Sequence, residues 1–144
     1  MSEVYTIFAV TFIIINMKRS YSFYSKVPGF ELIYGGSIDD PFTTYQIGKR
    51  RQLMYSNLEL EGSASSTCFS KCQPRFLGRI IFYTADVDKL YSYFVNNPSF
   101  SNLIVLVHEP VDALWGERYF NIREPDGYEL SFAHTVKKKP IQQN

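Results

Sequence analysis

The chain has 144 residues, 45% of them hydrophobic and 17% aromatic, enough for one globular domain with a substantial core and too few for a second independent one. Its 15 basic and 14 acidic residues leave a formal charge of +1 and are spread along the sequence, so nothing resembles an electrostatic footprint for nucleic acid or an anionic membrane. The expected partner is something other than a polyanion.

The first segment, Val4 to Met17, is uncharged over 14 residues, shorter than the roughly 20 needed to cross a bilayer as a helix, and reads as buried strand. No basic residue precedes it and no small-residue cleavage site follows, so a secretory signal fits poorly and a cytoplasmic location is expected. Within it, VTFIII is β-branched and aromatic, and Asn16 then caps a short amphipathic helix with Met17, Tyr21 and Tyr24 at helical spacing. Three strand-like runs follow, FELIYG, FTTYQIG and LMYSNLEL, with breaks at Gly35-Gly36 and at Gly48 to Arg51.

The polar segment SASSTCFSKCQP reads as a loop. It holds both cysteines, Cys68 and Cys72. A zinc site wants four ligands and the only histidines, His108 and His134, lie far away in sequence, so the cysteines are expected to be reduced thiols, a small redox clip being the alternative.

The second half repeats the first. RIIFYT leads into DVDKLYSYF, where Asp86 caps a helix with Val87, Leu90, Tyr91 and Phe94 on its apolar stripe; LIVLVHE, ERYFNIR and YELSFAH follow, broken at Trp115-Gly116 and Pro125-Asp126-Gly127. NMKRSYSFY and DVDKLYSYF superpose without a gap at an offset of 70 residues, pairing Asn16 with Asp86, Arg19 with Lys89, Tyr21 with Tyr91 and Ser22 with Ser92. The predicted organisation is a single α+β domain of two tandem βαβββ modules, about 4–61 and 78–135, with a linker at 62–77 and a tail at 136–144 whose Lys137 to Pro140 run is solvated. One helix covers only one face of each sheet. Two modules side by side are therefore expected to form a curved mixed sheet around a concave pocket suited to a small ligand.

This layout, with FYSKVPGFEL after the first helix and WGERYFNIREPDGYELSFA at the end, resembles the vicinal oxygen chelate superfamily, which includes glyoxalase I, extradiol dioxygenases and fosfomycin- and bleomycin-resistance proteins. The resemblance covers residues 4–135. It implies a homodimer with pockets at or near the interface, since members commonly pair. It also implies where a metal would be held in metal-using members: near the start of each module's first strand and on each module's last strand.

Carried onto this sequence, those positions are Ala9 and Arg79, each seven residues before a helix cap, Glu59 in SNLELEG, and Ser131, four residues after the Gly of the Pro-Asp-Gly turn. Alanine has no donor atom, and guanidinium is a permanent cation without a lone pair to offer. Strand alternation puts Glu129, Ser131 and Ala133 on the ligand face, so the visible glutamate lies on the right face two residues early. No metal and no cofactor is expected at such a set.

Arg79 could bind an anionic ligand or neutralise Glu59 or Glu129. By the resemblance to fosfomycin-resistance proteins, Tyr119 and Asn121 line the pocket; core packing is the alternative for the aromatics, and an inward amide needs a partner. His108 has no nucleophile or second acid at a recognisable spacing and reads as a surface or satisfied strand histidine, as does His134. The expected pocket combines Tyr83, Trp115 and Tyr119 with Arg79, Asn121, Glu129, Ser131 and Glu59. The function that follows is metal-independent small-molecule binding. The alternative is a lyase, isomerase or dioxygenase using Glu59 or Glu129 as base or ligand.

Overall fold

Alternation of apolar and polar residues in the strands, and apolar residues three or four apart in the helices, can be satisfied together only if each helix lies against one sheet face. The computed structural model, which describes residues 2–48, 56–63, 74 and 77–136, has this arrangement twice. The chain divides into two compact units, Met1–Arg75 and Phe76–Asn144.

The first unit contains β1 (Ala9–Ile14), α1 (Met17–Tyr24), β2 (Phe30–Tyr34), β3 (Phe42–Ile47) and β4 (Ser56–Gly62). Its sheet runs β1-β4-β3-β2, with β1 parallel to β4 and the other neighbours antiparallel. Met17, Ser20, Phe23 and Tyr24 form the buried stripe of α1, and Phe12, Ile14, Tyr45, Leu58 and Leu60 are buried hydrophobic residues of the sheet on that side.

The second unit contains β5 (Arg79–Tyr83), α2 (Val87–Asn96), α3 (Pro98–Ser101), β6 (Val105–Asp112), β7 (Glu117–Arg123) and β8 (Glu129–Thr135). Its order, β5-β8-β7-β6 with β5 parallel to β8, repeats that of the first. Phe94 of α2 stacks on Phe100 at 4.5 Å between ring centroids and meets Phe120 and Phe132 edge-on at 5.8 and 5.3 Å. The two α+β modules match at their helix starts: Asn16 Oδ1 accepts the Arg19 amide at 3.0 Å, and Asp86 Oδ1 accepts the Lys89 amide at 3.1 Å. Each cap satisfies one of the amides that a helix start leaves without a partner.

Two expectations need correcting. Val4 to Phe8 is not buried strand: Val4 is 96% and Phe8 72% exposed, and β1 begins only at Ala9. The β1–β4 register, Ala9 opposite Asn57, carries Val4 to Phe8 onto residues 52–56, of which only Ser56 is described. The second module also has an element beyond strand, helix and three strands. Pro98 opens the short helix α3 at a position where its missing N–H costs nothing, and buried Phe100 anchors it. The thiol state of Cys68 and Cys72, the first residues of LMYSNLEL, most of the expected linker, the end of the Gly48 to Arg51 break and the Lys137 to Pro140 tail lie outside the described residues.

Candidate functional site

In both modules the sheet face away from the helix carries the sequence-predicted site residues. On the first module it holds Ala9, Thr11 and Ile13 of β1 beside Asn57, Glu59 and Glu61 of β4, in direct register. Glu59 is half-buried, and its Oε1 accepts the Thr11 hydroxyl at 3.3 Å. Asn57 is buried and donates its side-chain amide to the Phe8 carbonyl at 3.2 Å. A cavity of about 270 Å3 in this module is lined by Ile15, Met17, Ile38, Asp39, Asp40, Pro41, Gly62 and Ser63, and so contains none of the predicted site residues.

The second module brings the other predicted residues onto one face. Register sets three successive rows across the sheet. Arg79, Glu129 and Arg123 form the first; Ile81, Ser131, Asn121 and His108 the second; Tyr83, Ala133, Tyr119 and Val111 the third. Rows two residues apart lie about 7 Å apart along a strand. The face therefore changes from charged to polar to aromatic in roughly 14 Å.

The first row alternates in sign. Arg79 and Arg123 are exposed and Glu129 is half-buried between them, yet among the described residues no hydrogen bond or ion pair joins either arginine to a carboxylate. The second row is the dry one: Ser131 is 2% and Asn121 6% exposed, and Asn121 Oδ1 has no hydrogen-bond partner. A buried amide oxygen in that state carries a desolvation cost that nothing in the module offsets.

The third row ends in an aromatic cluster. Tyr119 lies between Trp115, at 5.6 Å and a 39° tilt, and His108, edge-on at 4.9 Å. His108 Nδ1 sits 2.7 Å from the Glu109 carbonyl oxygen, which can only accept, so Nδ1 carries the proton and Nε2 keeps its lone pair in the neutral ring. Tyr83 is mostly exposed, and the negative charge of the Glu117 carboxylate is the main reason its phenol is held above its usual range.

Sequence reading missed Arg123 and Glu117. Both were available from the alternation in ERYFNIR, where Glu117, Tyr119, Asn121 and Arg123 share a face while Phe120 and Ile122 point to the core. His134, read from the sequence as a surface or satisfied strand histidine, is satisfied at a helix start: its Nδ1 accepts the Val87 amide of α2 at 2.8 Å. The final turn also depends on a residue not singled out. Buried Glu124 accepts the Asp126 amide at 2.6 Å and the Tyr128 amide at 3.1 Å through one carboxylate oxygen. That clasp fixes where β8 starts, and so where Glu129 and Ser131 fall.

The four positions that the resemblance assigns to metal ligands do not fit a divalent cation. Ala9 offers nothing, Arg79 brings a fixed positive charge, Ser131 brings a neutral hydroxyl, and Glu59 is the only anionic donor. Among the described residues, no group of three or more His, Cys, Asp and Glu side chains is placed to hold a metal. No helix among them is long and apolar enough to cross a membrane.

The profile of the Glyoxalase/Bleomycin resistance protein/Dioxygenase superfamily matches residues 6–132. Among solved structures, the chain is similar to a superfamily member from Sphaerobacter thermophilus DSM 20745, with 20% identity, a TM-score of 0.66, and 90% of this chain and 97% of that one covered. It is also similar to TioX from Micromonospora sp. ML1, with 16% identity, a TM-score of 0.67 and coverage of 91% and 99%. A lactoylglutathione lyase from Agrobacterium tumefaciens aligns at 19% identity with a TM-score of 0.64, covering 91% of this chain and 94% of that one. At these identities the likeness concerns the fold. No curated protein matches the sequence.

Proposed function

Since the chain belongs to the glyoxalase/bleomycin resistance/dioxygenase superfamily, we propose that it is a metal-independent small-molecule binding protein of that superfamily. The observation that supports this reading is that Ala9, Arg79 and Ser131 stand at positions that the resemblance assigns to metal donors. The proposed ligand surface of the second module is formed by Arg79, Tyr83, Trp115, Tyr119, Asn121, Glu129 and Ser131; Glu59, on the first module, is the further residue proposed to bind ligand. The surface's mixture of aromatic and hydrogen-bonding groups suits a small, partly aromatic or amphipathic molecule.

We take residues 1–144 as one domain, working as a cytoplasmic homodimer. Apolar side chains left exposed on the outer strands support pairing: Leu32, Ile33 and Tyr34 on β2, and Val105, Leu106 and Val107 on β6. The enzymatic alternative needs a base or ligand at Glu59 or Glu129, and metal content separates it from binding alone. Elemental analysis of dialysed protein is expected to find no stoichiometric divalent metal. Near-equimolar zinc, nickel, iron or manganese would overturn the binding reading in favour of an enzyme.

A further inference from the structure

We propose that the open face of the second module takes an aromatic anion, its carboxylate at the Arg79 and Arg123 end and its rings against Tyr119 and Trp115. This rests on the ligand-binding reading and adds the ligand's charge and direction. The first observation is a charge gradient along the face. At one end two guanidinium groups flank a single carboxylate, Glu129, and neither has a hydrogen-bond or ion-pair partner among the described residues. At the other end, at the start of β7, stands the carboxylate of Glu117. An anion entering this face is attracted to the Arg end and repelled from the Glu117 end; a cation would experience the reverse.

The second observation is independent of charge. Between the two ends lies Asn121, 6% exposed, with its side-chain oxygen unpartnered, directly in register with buried Ser131. Buried polar atoms are almost always satisfied, and one left orphaned on a face marks a place completed by a bound molecule. The third is shape. The Trp115 and Tyr119 rings, with His108 edge-on, present an aromatic patch at the far side of this polar row. Arg123 and Tyr119 are four residues apart on β7, about 13 Å at ~3.3 Å per residue, a span that a two-ring acid and an extended arginine side chain cover together. Guanidinium also presents the planar fork that a carboxylate accepts with two parallel hydrogen bonds.

The test uses the full chain and two probes with the same rings and opposite charge, 2-naphthoate and 2-naphthylmethylammonium. Binding is read by calorimetry, with the emission of Trp115, the single tryptophan, as the locator. The naphthoate is expected to bind more tightly than the ammonium and to lose affinity as salt is raised. Arg79→Gln and Arg123→Gln should each weaken naphthoate by roughly two- to five-fold, the scale of one exposed ion pair, without weakening the ammonium. Arg123→Glu should weaken naphthoate more than Arg123→Gln. Both arginines are exposed, so these changes leave the core intact; Lys89→Gln on α2, which removes the same charge elsewhere, should leave affinity unchanged. Equal or tighter ammonium binding, or arginine variants that behave like Lys89→Gln, would overturn the anion assignment while Trp115 quenching upheld ligand binding. Failure of both probes to bind or to perturb Trp115 at millimolar concentration would overturn the binding reading along with it.

Discussion

Replacing Glu124 by alanine should be the most damaging single change in the final turn. Its carboxylate is 3% exposed and accepts two backbone amides, at 2.6 Å from Asp126 and 3.1 Å from Tyr128. Two backbone bonds also close the turn, Gly127 N–H to the Glu124 carbonyl at 2.8 Å and Glu124 N–H to the Tyr128 carbonyl at 2.9 Å, but neither supplies an acceptor for the Asp126 or Tyr128 amide. A hydrogen bond to a charged group is worth ~1.5–3 kcal/mol net, and a buried amide stripped of its acceptor costs ~1–3 kcal/mol, two views of one loss that should not be added. Two amides sharing one oxygen give about 3 kcal/mol for Glu124→Ala, or roughly 6–12 °C in melting temperature for a chain of this size. Glu124→Gln keeps an acceptor oxygen in place and should cost about half as much. Urea unfolding with an unchanged slope measures both, and naphthoate titration of the folded fraction reports whether β8 still presents Glu129 and Ser131 correctly. An alanine variant within ~0.5 kcal/mol of the parent, the range of ordinary surface changes, would refute the clasp. A glutamine variant as unstable as alanine would show that the charge, and not the acceptor, does the work.

Tyr45 is fully buried and hydrogen-bonded to the Ser25 hydroxyl at 2.7 Å, and burial is the largest cause pushing its phenol from 10.0 up to about 12. Its neutral form is favoured in the fold, so the stability it contributes is fully present below pH 10 and lost as pH rises through about 12; the urea midpoint should fall across that window less steeply in Tyr45→Phe. His134→Phe keeps a ring at the start of α2 but leaves the Val87 amide without an acceptor, and should cost about 1 kcal/mol in urea unfolding, the scale of a lost helix cap. Asn121→Leu replaces an orphaned buried amide with an apolar side chain of similar size and should raise stability by about 1 kcal/mol while weakening naphthoate binding. A less stable Asn121→Leu would mean the amide is satisfied in the free protein.

The helix side of each module was legible in the sequence because folding itself imposes the pattern there. ERYFNIR spans β7 from end to end, and the Asn16 and Asp86 caps fall where the ungapped repeat places them. Leu130 and Phe132 face the core because alternation leaves them no other option once the Pro-Asp-Gly turn is set. The errors came where a local pattern depends on a distant partner. VYTIF has a strand's composition, yet β1 begins only at Ala9, opposite Asn57. Pro98, read locally, breaks a helix; whether it also starts one depended on Phe100 finding Phe94.

The open face was harder to read for a related reason. Its residues are not chosen by the core, so hydrophobic pattern carries no information about their roles, and only cross-strand register brings them together. Arg123 lies 44 residues from Arg79 in sequence, and each becomes meaningful only when β8 sets Glu129 between them. The same register explains why a face without metal donors need not be idle. The sheet positions are held by the helix-side core, whatever occupies the other face, so Arg79 and Ser131 can stand where the resemblance expects donors without disturbing Ile80, Leu130 or Phe132. What changes is the sign of the charge that the face favours. A donor set of carboxylates and imidazoles attracts a cation, whereas an arginine row beside a dry amide favours an anion, and the two-probe titration measures that reversal directly.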